Sequence, residues 1–227
     1  MPGNFTFFTQ NIVDLRAEFD ESESKHMIQV LRYQLNDDIY FTDGLGNKYQ
    51  GRISEISKKG VKCAVLSKKS ENQPQLTLGV GIIKNSDRIE ILVEKCTELG
   101  LKSLYFIQTE KSIRSNLNTD KLKKTAISAL KQSNGAWLPQ ISIIRFKEVL
   151  SLNFENKLIA HCQDQDEDLK EKIAHNSFVL IGSEGDFSPT EIKLALDSDF
   201  KVIQLGQRIL RTETAAIAVC TLANIGV

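Results

Sequence analysis

The stretch Phe178-Val-Leu-Ile-Gly-Ser-Glu-Gly-Asp-Phe-Ser-Pro-Thr-Glu191 combines an apolar strand, a polar loop with two glycines and the start of a helix. Ser188 is placed to cap that helix, with Pro189 at the first helical position and Glu191 completing a capping box. Taken alone, the loop is explained equally well as a tight turn. The whole stretch predicts a strand-to-helix junction of the kind from which α/β folds are built.

A second stretch, Leu205-Gly-Gln-Arg-Ile-Leu-Arg-Thr-Glu-Thr-Ala215, lies between an apolar strand and an apolar helix. It places Arg211, Thr212 and Glu213 before a run of small apolar residues, where polar groups are costly to bury unless they pair with one another, the backbone or a ligand. A capping cluster would satisfy them without a ligand. Together with Gly182–Gly185, however, the stretch predicts two junctions that close around one small polar ligand, which indicates an enzyme.

The chain before residue 75 is rich in predicted strands. These are residues 5–8, Asp38–Asp43, Tyr49–Ile56 and Val61–Leu66, chosen for their β-branched and alternating residues. One helix is predicted around Ser22–Tyr33, and the polar stretch Ser67–Pro74, which has no periodicity, is the predicted linker. A small β-rich domain therefore precedes the linker.

After the linker, predicted strands alternate with predicted helices. The strands are Leu76–Ile83, Ser103–Gln108, Leu158–Cys162, Phe178–Ile181 and Lys201–Leu205, and the helices are residues 87–99, Asp120–Gln132, Ser188–Leu196 and Thr214–Ile225. In the first helix, Asp87–Glu90 is the predicted capping box and Gly100 the left-handed residue at the end. This alternation favours an α/β domain with a mainly parallel sheet, whose ligands bind beyond the carboxyl ends of the strands.

Composition argues against several classes of protein. Hydrophobic residues make up 41% of the chain and charged residues 26%, as in ordinary globular proteins. The apolar run Ala215–Val227 is shorter than the about 20 residues that span a bilayer, and the N-terminus lacks the features of a secretory signal, so a cytoplasmic protein is expected. The cysteines show no C-x-x-C spacing, which favours reduced thiols. His26, His161 and His175 are isolated, so we expect structural roles for them and no metal site.

Charge is balanced overall but unevenly distributed. Basic residues number 12 against 7 acidic ones in residues 75–150, and 7 against 12 in residues 151–227. Lysines are also clustered at residues 58–69 and 121–124. Such clusters bind phosphates in RNA-binding proteins and are solvated surface groups in others, so both interpretations stay open.

Six motifs carry a family resemblance. They are His26-x-x-x-Val30-Leu31-Arg32, Lys84-Asn85-x-Asp87-Arg88-x-Glu90, Glu94-Lys95-x-Thr97-Glu98-Leu99-Gly100, Gln132-Ser133, Ile181-Gly182-x-Glu184-Gly185 and Leu210-Arg211-Thr212-Glu213-Thr214-Ala215. In this order they resemble the RsmE family, bacterial methyltransferases of the SPOUT superfamily that methylate N3 of one uridine in 16S ribosomal RNA. The likeness runs nearly end to end, and the six motifs together are far more specific than any one of them.

The resemblance implies a PUA-like RNA-binding β-barrel over residues 1–72 and an α/β SPOUT domain with a deep trefoil knot over residues 73–227. It implies an S-adenosylmethionine-dependent enzyme that works as a homodimer on the 16S RNA of the small ribosomal subunit. Arg211 and Glu213 would be catalytic. The RNA would be contacted by Arg32, Lys58, Lys59, Lys84 and Arg88. The cofactor would be bound by Leu180, Ile181, Gly182, Ser183, Glu184, Gly185, Leu205, Gly206, Ile209, Leu210, Thr212, Thr214 and Ala215.

The implied reaction requires removal of the uracil N3 proton while the nitrogen is aligned with the cofactor's methyl group. Arg211 would hold the negative charge that develops on the uracil oxygens or on a neighbouring phosphate, and Glu213 or Glu184 would either accept the proton or fix the arginine. The sequence does not choose between these roles.

The chain departs from the family pattern at four places, of which one is Met1–Phe5, where the arginine that many relatives have before their opening aromatic strand is absent. Ser183 stands where proline is frequent, and Asp186 takes the place of a second glycine, as in one branch of the family. The segment Asn134–Trp137 stands where relatives often have a basic residue shortly after Gln132-Ser133. The absence of that residue weakens the case for RNA or cofactor binding by this segment.

Two other functions stay open. A related knotted methyltransferase would act on transfer RNA instead, and a non-catalytic RNA-binding assembly factor would have kept the fold without turnover. A dinucleotide-dependent oxidoreductase is poorly supported, because Gly79-Val80-Gly81 lacks the third glycine of the G-x-G-x-x-G fingerprint.

Overall fold

The structure is a computed structural model that describes residues 6–112, 117–161, 173 and 176–224. The chain forms two compact units. The first comprises Met1–Gln73 and Ile127–Leu138, and the second comprises Pro74–Ala126 and Pro139–Val227. The domain boundary predicted between residues 72 and 73 stays a prediction.

The first unit contains a six-stranded, largely antiparallel sheet. Its strands are β1 (Thr6–Phe8), β2 (Ile12–Val13), β3 (Arg16–Glu18), β4 (Asp38–Thr42), β5 (Asn47–Ser57) and β6 (Gly60–Ser70), in the order β1-β4-β5-β6-β3-β2. Among the described strands of this sheet, β1 and β4 pair in parallel and the other neighbours pair antiparallel. The predicted linker is wrong in its first half, because β6 continues to Ser70 through pairing with β5. Cross-strand hydrogen bonds outweigh the polar composition of Ser67–Ser70 there.

One short helical region replaces the long helix predicted around Ser22–Tyr33. Helix α1 spans Glu21–Lys25 and continues as a π-helical segment, His26–Val30. Arg32 follows in the left-handed region, with φ +59°. The apolar spacing indicated the helix correctly, but its wider turns and its early end have no signal in that spacing.

Aromatic side chains form the core of the first unit. Phe7, Phe41 and Met27 are at most 1% exposed. The rings of Phe41 and Tyr49 are stacked with their centroids 5.0 Å apart, and Phe19 meets Phe41 edge-on at 5.4 Å. Burial of each such side chain stabilises the fold by about 1.5 to 3 kcal/mol.

The segment Asn134–Trp137, where relatives often carry a basic residue, packs within this first unit. The N–H of Gly46 donates to the carbonyl of Ala136 at 2.8 Å, and the Trp137 indole N–H donates to the carbonyl of Glu71 at 3.0 Å. A Cβ on Gly46 would lie 2.3 Å from the Trp137 ring, so only glycine fits beneath it. The segment therefore has a packing role.

The second unit is built on a parallel sheet, as the alternation of strands and helices predicted. Its strands are β7 (Thr77–Gly81), β8 (Ser103–Gln108), β9 (Gln140–Arg145), β10 (Asn156–Ala160), β11 (Ser177–Ile181) and β12 (Lys201–Ile203), in the order β12-β10-β11-β7-β8-β9. All five strand pairs are parallel. The sequence prediction missed β9, whose residues are half-buried or exposed and give a weaker apolar signal.

Helices follow the strands of the second unit. They are α2 (Ser86–Glu98), α3 (Thr119–Gln132), α4 (Phe146–Leu150), α5 (Pro189–Leu196) and α6 (Thr212–Asn224), and residues 127–132 of α3 belong to the first unit. The predicted cap of α5 is confirmed, because Ser188 and Glu191 form the capping box. The capping box predicted at Asp87–Glu90 is wrong, since Asn85 caps α2 by accepting from the backbone N–H groups of Asp87 and Arg88.

The left-handed Gly100 predicted after α2 is confirmed, with φ +80°.

Three cysteines, Cys63, Cys96 and Cys220, are buried thiols, and Cys162 lies outside the described residues. Within the described part of the chain, no helix is long and apolar enough to cross a membrane. The same residues contain no group of three or more His, Cys, Asp or Glu side chains arranged to hold a metal ion.

Candidate active site

A cavity of about 380 Å³ lies beyond the carboxyl ends of the strands in the second unit. Its volume falls within the range of about 300 to 1,000 Å³ that is typical of small-molecule sites. The residues predicted to bind the cofactor that line it are Ile181, Gly182, Ser183, Glu184, Leu205, Gly206, Ile209, Leu210, Thr212 and Ala215. The two polar stretches identified in the sequence therefore meet at one cavity, which Arg211 and Arg88 also line.

Three of the predicted cofactor residues are not among the described residues of the cavity wall. Leu180 is fully buried within β11, and Thr214 is exposed on the first turn of α6. Gly185 accepts a hydrogen bond at its carbonyl from Lys111 Nζ at 2.7 Å. Cofactor binding stays a prediction for these three residues, as it does for those that line the cavity.

The loop after β11 depends on close backbone packing. A Cβ on Gly81 would lie 2.6 Å from the backbone nitrogen of Ser183, and one on Gly182 would lie 2.5 Å from Asp186 Oδ1. The residue of this loop in the left-handed region is Asp186, with φ +55°. Aspartate tolerates this region better than most residues do.

The loop after β12 is tied directly to the loop after β11. The Thr212 hydroxyl donates to the carbonyl of Gly182 at 2.9 Å. Gly206 has φ +95°, and the side chain of Ile209 is 88% exposed beside the cavity. Helix α6 begins at Thr212, two residues earlier than predicted, so Arg211 stands immediately before its first turn. The two loops that the sequence predicted to lie together are thus joined by a hydrogen bond.

Arg88 joins two carboxylates of these loops. Its Nε and Nη2 atoms donate to the two carboxylate oxygens of Glu213 at 2.8 and 2.5 Å, and Nη1 donates to Glu184 Oε1 at 2.8 Å. Glu213 is 9% exposed, so its charge needs this partner. The Arg88 guanidinium lowers the pKa of Glu213, and the more distant Arg211 adds to the effect. Glu213 is therefore ionised at neutral pH.

Arg211 differs from Arg88 in its surroundings. Its side chain is exposed at the cavity, and its carbonyl accepts the N–H of Ala215 within the first turn of α6. A guanidinium with exposed donors is suited to an oxygen that gains negative charge during a reaction. The position agrees with the predicted catalytic role, which no contact in the structure tests.

His161 and Asp186 form a second polar pair on the cavity wall. Their Nδ1 and Oδ2 atoms are 3.1 Å apart. The isolated spacing of the histidines indicated a structural role for His161, and the structure instead places it at the cavity. His175 lies outside the described residues. A partial signal was present, because His161 lies at the carboxyl end of the predicted strand Leu158–Cys162 and ligands bind at such ends. Other lining residues absent from the prediction are Ala160, Gln204 and Arg208.

Comparison with known proteins gives the family of the chain. The RNA methyltransferase domain family matches residues 70–224, and the RNA methyltransferase PUA domain family matches residues 19–66. The ribosomal RNA small subunit methyltransferase E of Mesomycoplasma hyopneumoniae is 30% identical over 172 residues, which cover 70% of this chain and 75% of that protein. The chain belongs to this RNA methyltransferase family. The resemblance stated from the six motifs is therefore confirmed.

Other relatives of this methyltransferase extend over nearly its whole length. The enzyme of the same name from Rickettsia conorii is 29% identical and covers 89% of this chain and 86% of its own. The crystal structure of a probable rRNA-methyltransferase from Porphyromonas gingivalis has a TM-score of 0.87 at 29% identity and covers 97% and 98% of the two chains. A ribosomal RNA small subunit methyltransferase E from Neisseria gonorrhoeae, bound to S-adenosyl methionine, has a TM-score of 0.84 at 24% identity and covers 96% and 95%.

The RNA contacts predicted for this methyltransferase fall in both units. Arg32, Lys58 and Lys59 belong to the first unit and are exposed. Lys58 and Lys59 line a second cavity of about 220 Å³ there, which Lys25 also lines. Lys84, in the second unit, is exposed after β7. Arg88 is the exception, because its guanidinium is engaged by Glu213 and Glu184.

Proposed function

We propose that the chain methylates N3 of one specific uridine in the 16S RNA of the small ribosomal subunit, with S-adenosylmethionine as methyl donor. The observation that carries the proposal is the cavity formed by the Gly182 and Leu205 loops, with the Arg88–Glu213 pair and the exposed Arg211 on its wall, in a chain of the RNA methyltransferase family. Transfer RNA is the second candidate substrate, and no observation of this structure favours it.

The cavity fits the proposed cofactor in size and in chemistry. Its volume of about 380 Å³ suits a molecule of nucleoside size, and residues of two strand-to-loop junctions line it, among them the apolar Ile181 and Leu210. The cofactor, once bound, supplies an activated methyl group on a positively charged sulfur. The protein then has to bind the cofactor and the RNA, to orient the uracil nitrogen toward the methyl group and to move one proton.

Arg211 stabilises the uracil as its N3 proton passes to Glu184, the second carboxylate that the sequence left as a candidate, which lines the cavity and accepts one N–H from Arg88. The negative charge of the deprotonated ring lies partly on the two carbonyl oxygens, and an exposed guanidinium beside the cavity offers donors to one of them. Removal of a comparable donor from a reaction centre slows turnover by about 100- to 1,000-fold. We therefore assign Arg211 to charge stabilisation.

Glu213 fixes Arg88 and is a poor proton acceptor. Both of its oxygens accept from the same guanidinium, and its lowered pKa makes its proton affinity weaker than that of an ordinary glutamate. An efficient base has a pKa near the working pH instead. Of the two roles left open by the sequence, the geometry favours the structural one for Glu213, with Arg88 as its partner.

RNA recognition in this proposal uses the lysines of the first unit. Lys58 and Lys59 beside one cavity form a cationic surface suited to phosphates, while Lys25 on the same wall is paired with Glu21. Replacing Lys58 and Lys59 by alanine should weaken RNA binding and flatten its dependence on salt. The log–log slope should fall by about 0.7 for each phosphate of a single strand that a lysine no longer neutralises. Unchanged affinity and slope would confine recognition to the second unit.

The proposal extends to topology, assembly and location. The chain between β11 and β12 crosses β10 in the sheet order, which is compatible with a trefoil knot.

Ile91 is 46% exposed on α2, next to the apolar helix α6, and this suits a homodimer interface. A molecular mass from light scattering near twice the 25.5 kDa of one chain would support the dimer, and the mass of a single chain would contradict it. Acting on the ribosome, the enzyme would be cytoplasmic.

Tritium transfer decides the proposed activity. Small subunits from a strain that lacks this methylation are incubated with the protein and methyl-labelled cofactor, and the modified nucleotide is identified by mass spectrometry. One N3-methyluridine in the 16S RNA supports the proposal. Label in transfer RNA alone selects the second candidate, and cofactor binding without transfer to either RNA selects the non-catalytic assembly factor.

A further inference from the structure

The pair formed by His161 and Asp186 has no part in the chemistry described above. Asp186 Oδ1 accepts from the backbone N–H of Phe187 at 2.7 Å, while Oδ2 lies 3.1 Å from His161 Nδ1. The side chains of Asp186 and His161 are 46% and 21% exposed, respectively, and both residues line the cavity. The backbone N–H of Phe187 thus holds the Asp186 carboxylate in place, and both side chains of the pair line the cavity.

The hydrogen-bonding capacity of the pair defines the ligand group that it suits. When the imidazole donates from Nδ1 to the carboxylate, Nε2 becomes an acceptor, and the carboxylate retains further lone pairs. The pair then offers neighbouring acceptors to the cavity. A group with two adjacent donors matches this pattern, whereas a phosphate or carboxylate, which has only acceptors, does not.

The sheet order separates His161 from Arg88, while Asp186 and Glu184 share the loop after β11. His161 follows β10 and Arg88 lies in the helix after β7, with β11 between the two strands. Two strand spacings correspond to about 10 Å. A group that accepts the uracil proton has to lie within hydrogen-bond distance of N3. If the reaction takes place beside Arg88 and Arg211, His161 and Asp186 face a different part of an elongated cofactor.

We propose that His161 and Asp186 bind the two ribose hydroxyls of the cofactor and so act as positioning residues. This inference rests on the proposed function. A vicinal diol presents two neighbouring O–H donors, and an acidic residue on ribose hydroxyls is a recurring feature of nucleotide sites. The cofactor's ammonium group is the competing ligand, but it shares a carbon with a carboxylate. A carboxylate favours a cationic neighbour, whereas the partners of the Asp186 side chain are the imidazole of His161 and a backbone N–H, and Arg208 and Arg211 line the same cavity.

The backbone at Asp186 supports a role in binding. A left-handed φ is reached most easily by glycine, which relatives often have at this position, and an aspartate there carries a modest strain. In exchange, the side chain places a carboxylate at the cavity and next to His161. Asparagine tolerates the same φ, so the change Asp186→Asn removes the charge with little effect on the backbone.

Calorimetry with S-adenosylhomocysteine and its 2′-deoxy and 3′-deoxy analogues tests the inference on the whole protein. The variants are Asp186→Asn and His161→Gln. Asp197→Asn is the matched control, because Asp197 is an exposed carboxylate paired with Lys193 at the end of α5. The unmodified protein should bind each deoxy analogue about tenfold more weakly than the parent compound. The two variants should bind the parent about tenfold more weakly and lose that discrimination, and the control should behave like the unmodified protein.

Two results overturn the inference while leaving the proposed function intact. One is unchanged affinity and discrimination in both variants. In the other, the variants bind S-adenosylhomocysteine more weakly but still discriminate against the deoxy analogues. They also bind 5′-methylthioadenosine, which lacks the amino-acid end, as well as the unmodified protein does. The pair would then contact the ammonium group instead of the ribose. Failure of the unmodified protein to bind S-adenosylhomocysteine would overturn the proposed function itself, and the inference with it.

Discussion

The cavity wall has two polar regions that differ in how completely their groups are paired. In the Arg88 cluster, three N–H groups of one guanidinium are taken up by Glu213 and Glu184. In the His161–Asp186 pair, the two side chains share one contact and remain partly exposed. A closed ion-pair cluster holds the loops in place, whereas a half-paired one retains capacity for a ligand. In the proposal above, the first region supports the loops and the second binds the cofactor.

The largest expected effect concerns Arg211, the exposed cation beside the closed cluster. Arg211→Ala should reduce methyl transfer by about 100- to 1,000-fold, because a donor to the uracil oxygens is removed. The thermal midpoint should stay unchanged, since the side chain is exposed. Tritium transfer and a thermal melt measure the two quantities, with Lys193→Ala on α5 as control. Near-normal turnover would remove Arg211 from the reaction.

Opening the closed cluster should destabilise the second unit. Arg88→Ala leaves Glu213 largely buried without its bidentate partner and should lower the free energy of unfolding by about 3 kcal/mol. The double change Arg88→Ala with Glu213→Ala should restore part of that stability, because no uncompensated charge is left. Urea titrations of the single and double variants test this. Equal destabilisation by both would show that the charge pair has no special role.

A substitution at Gly182 should disturb the His161–Asp186 pair. A Cβ at this position would lie 2.5 Å from Asp186 Oδ1, so Gly182→Ala should displace the carboxylate from His161. We expect an approximately tenfold loss of affinity for S-adenosylhomocysteine, in line with the loss of a pair of good hydrogen bonds. Calorimetry measures it, with Lys193→Ala, an exposed residue of α5, as a control outside the cavity. Unchanged affinity would separate Asp186 from ligand binding.

The pH dependence of stability should report the closed cluster. Because the folded-state pKa of Glu213 is lowered, its contribution is present above the unfolded value, near 4.5, and is lost as the pH falls through the folded value. Glu213→Gln should therefore flatten the stability profile on the acid side, below about pH 4.5, without changing its shape at neutral pH. Urea midpoints from about pH 3 to 7 provide the measurement. Identical profiles would contradict the assignment.

The smallest effect is expected for an ion pair of similar form on the surface. Arg52 Nε and Nη2 donate to the two oxygens of Asp38 at 2.7 and 3.2 Å, which repeats the bidentate geometry of Arg88 and Glu213. Both side chains are exposed, so solvent screens the pair. Arg52→Ala should leave the urea midpoint nearly unchanged. A destabilisation as large as that of Arg88→Ala would mean that burial does not distinguish the two pairs.

The sequence predicted those parts of the site that depend on local patterns. Ser188 and Glu191 are three residues apart, and their capping box follows from spacing alone. The polar stretches after β11 and β12 were recognisable because each directly follows an apolar strand. The parallel sheet likewise followed from the alternation of strands and helices, although β9 was missed.

Long-range pairing had no comparable signal. His161 and Asp186 meet because β10 and β11 are parallel and in register, with Ala160 opposite Ile181. The Arg88–Glu213 pair spans 125 positions along the chain. The local spacing of residues does not indicate which residues meet over such separations along the chain. Both pairs could therefore be identified only from the folded structure. The same holds for Trp137, whose contact with Gly46 depends on the tertiary packing of the first unit.

A crystal structure of the protein with S-adenosylhomocysteine tests the central claim most directly. The account predicts one molecule between the Gly182 and Leu205 loops, with its ribose hydroxyls on His161 and Asp186 and its sulfur on the side of Arg211. A ligand bound elsewhere, or one in this cavity with its ribose directed toward Arg88, would contradict the division of the wall into a supporting and a binding region.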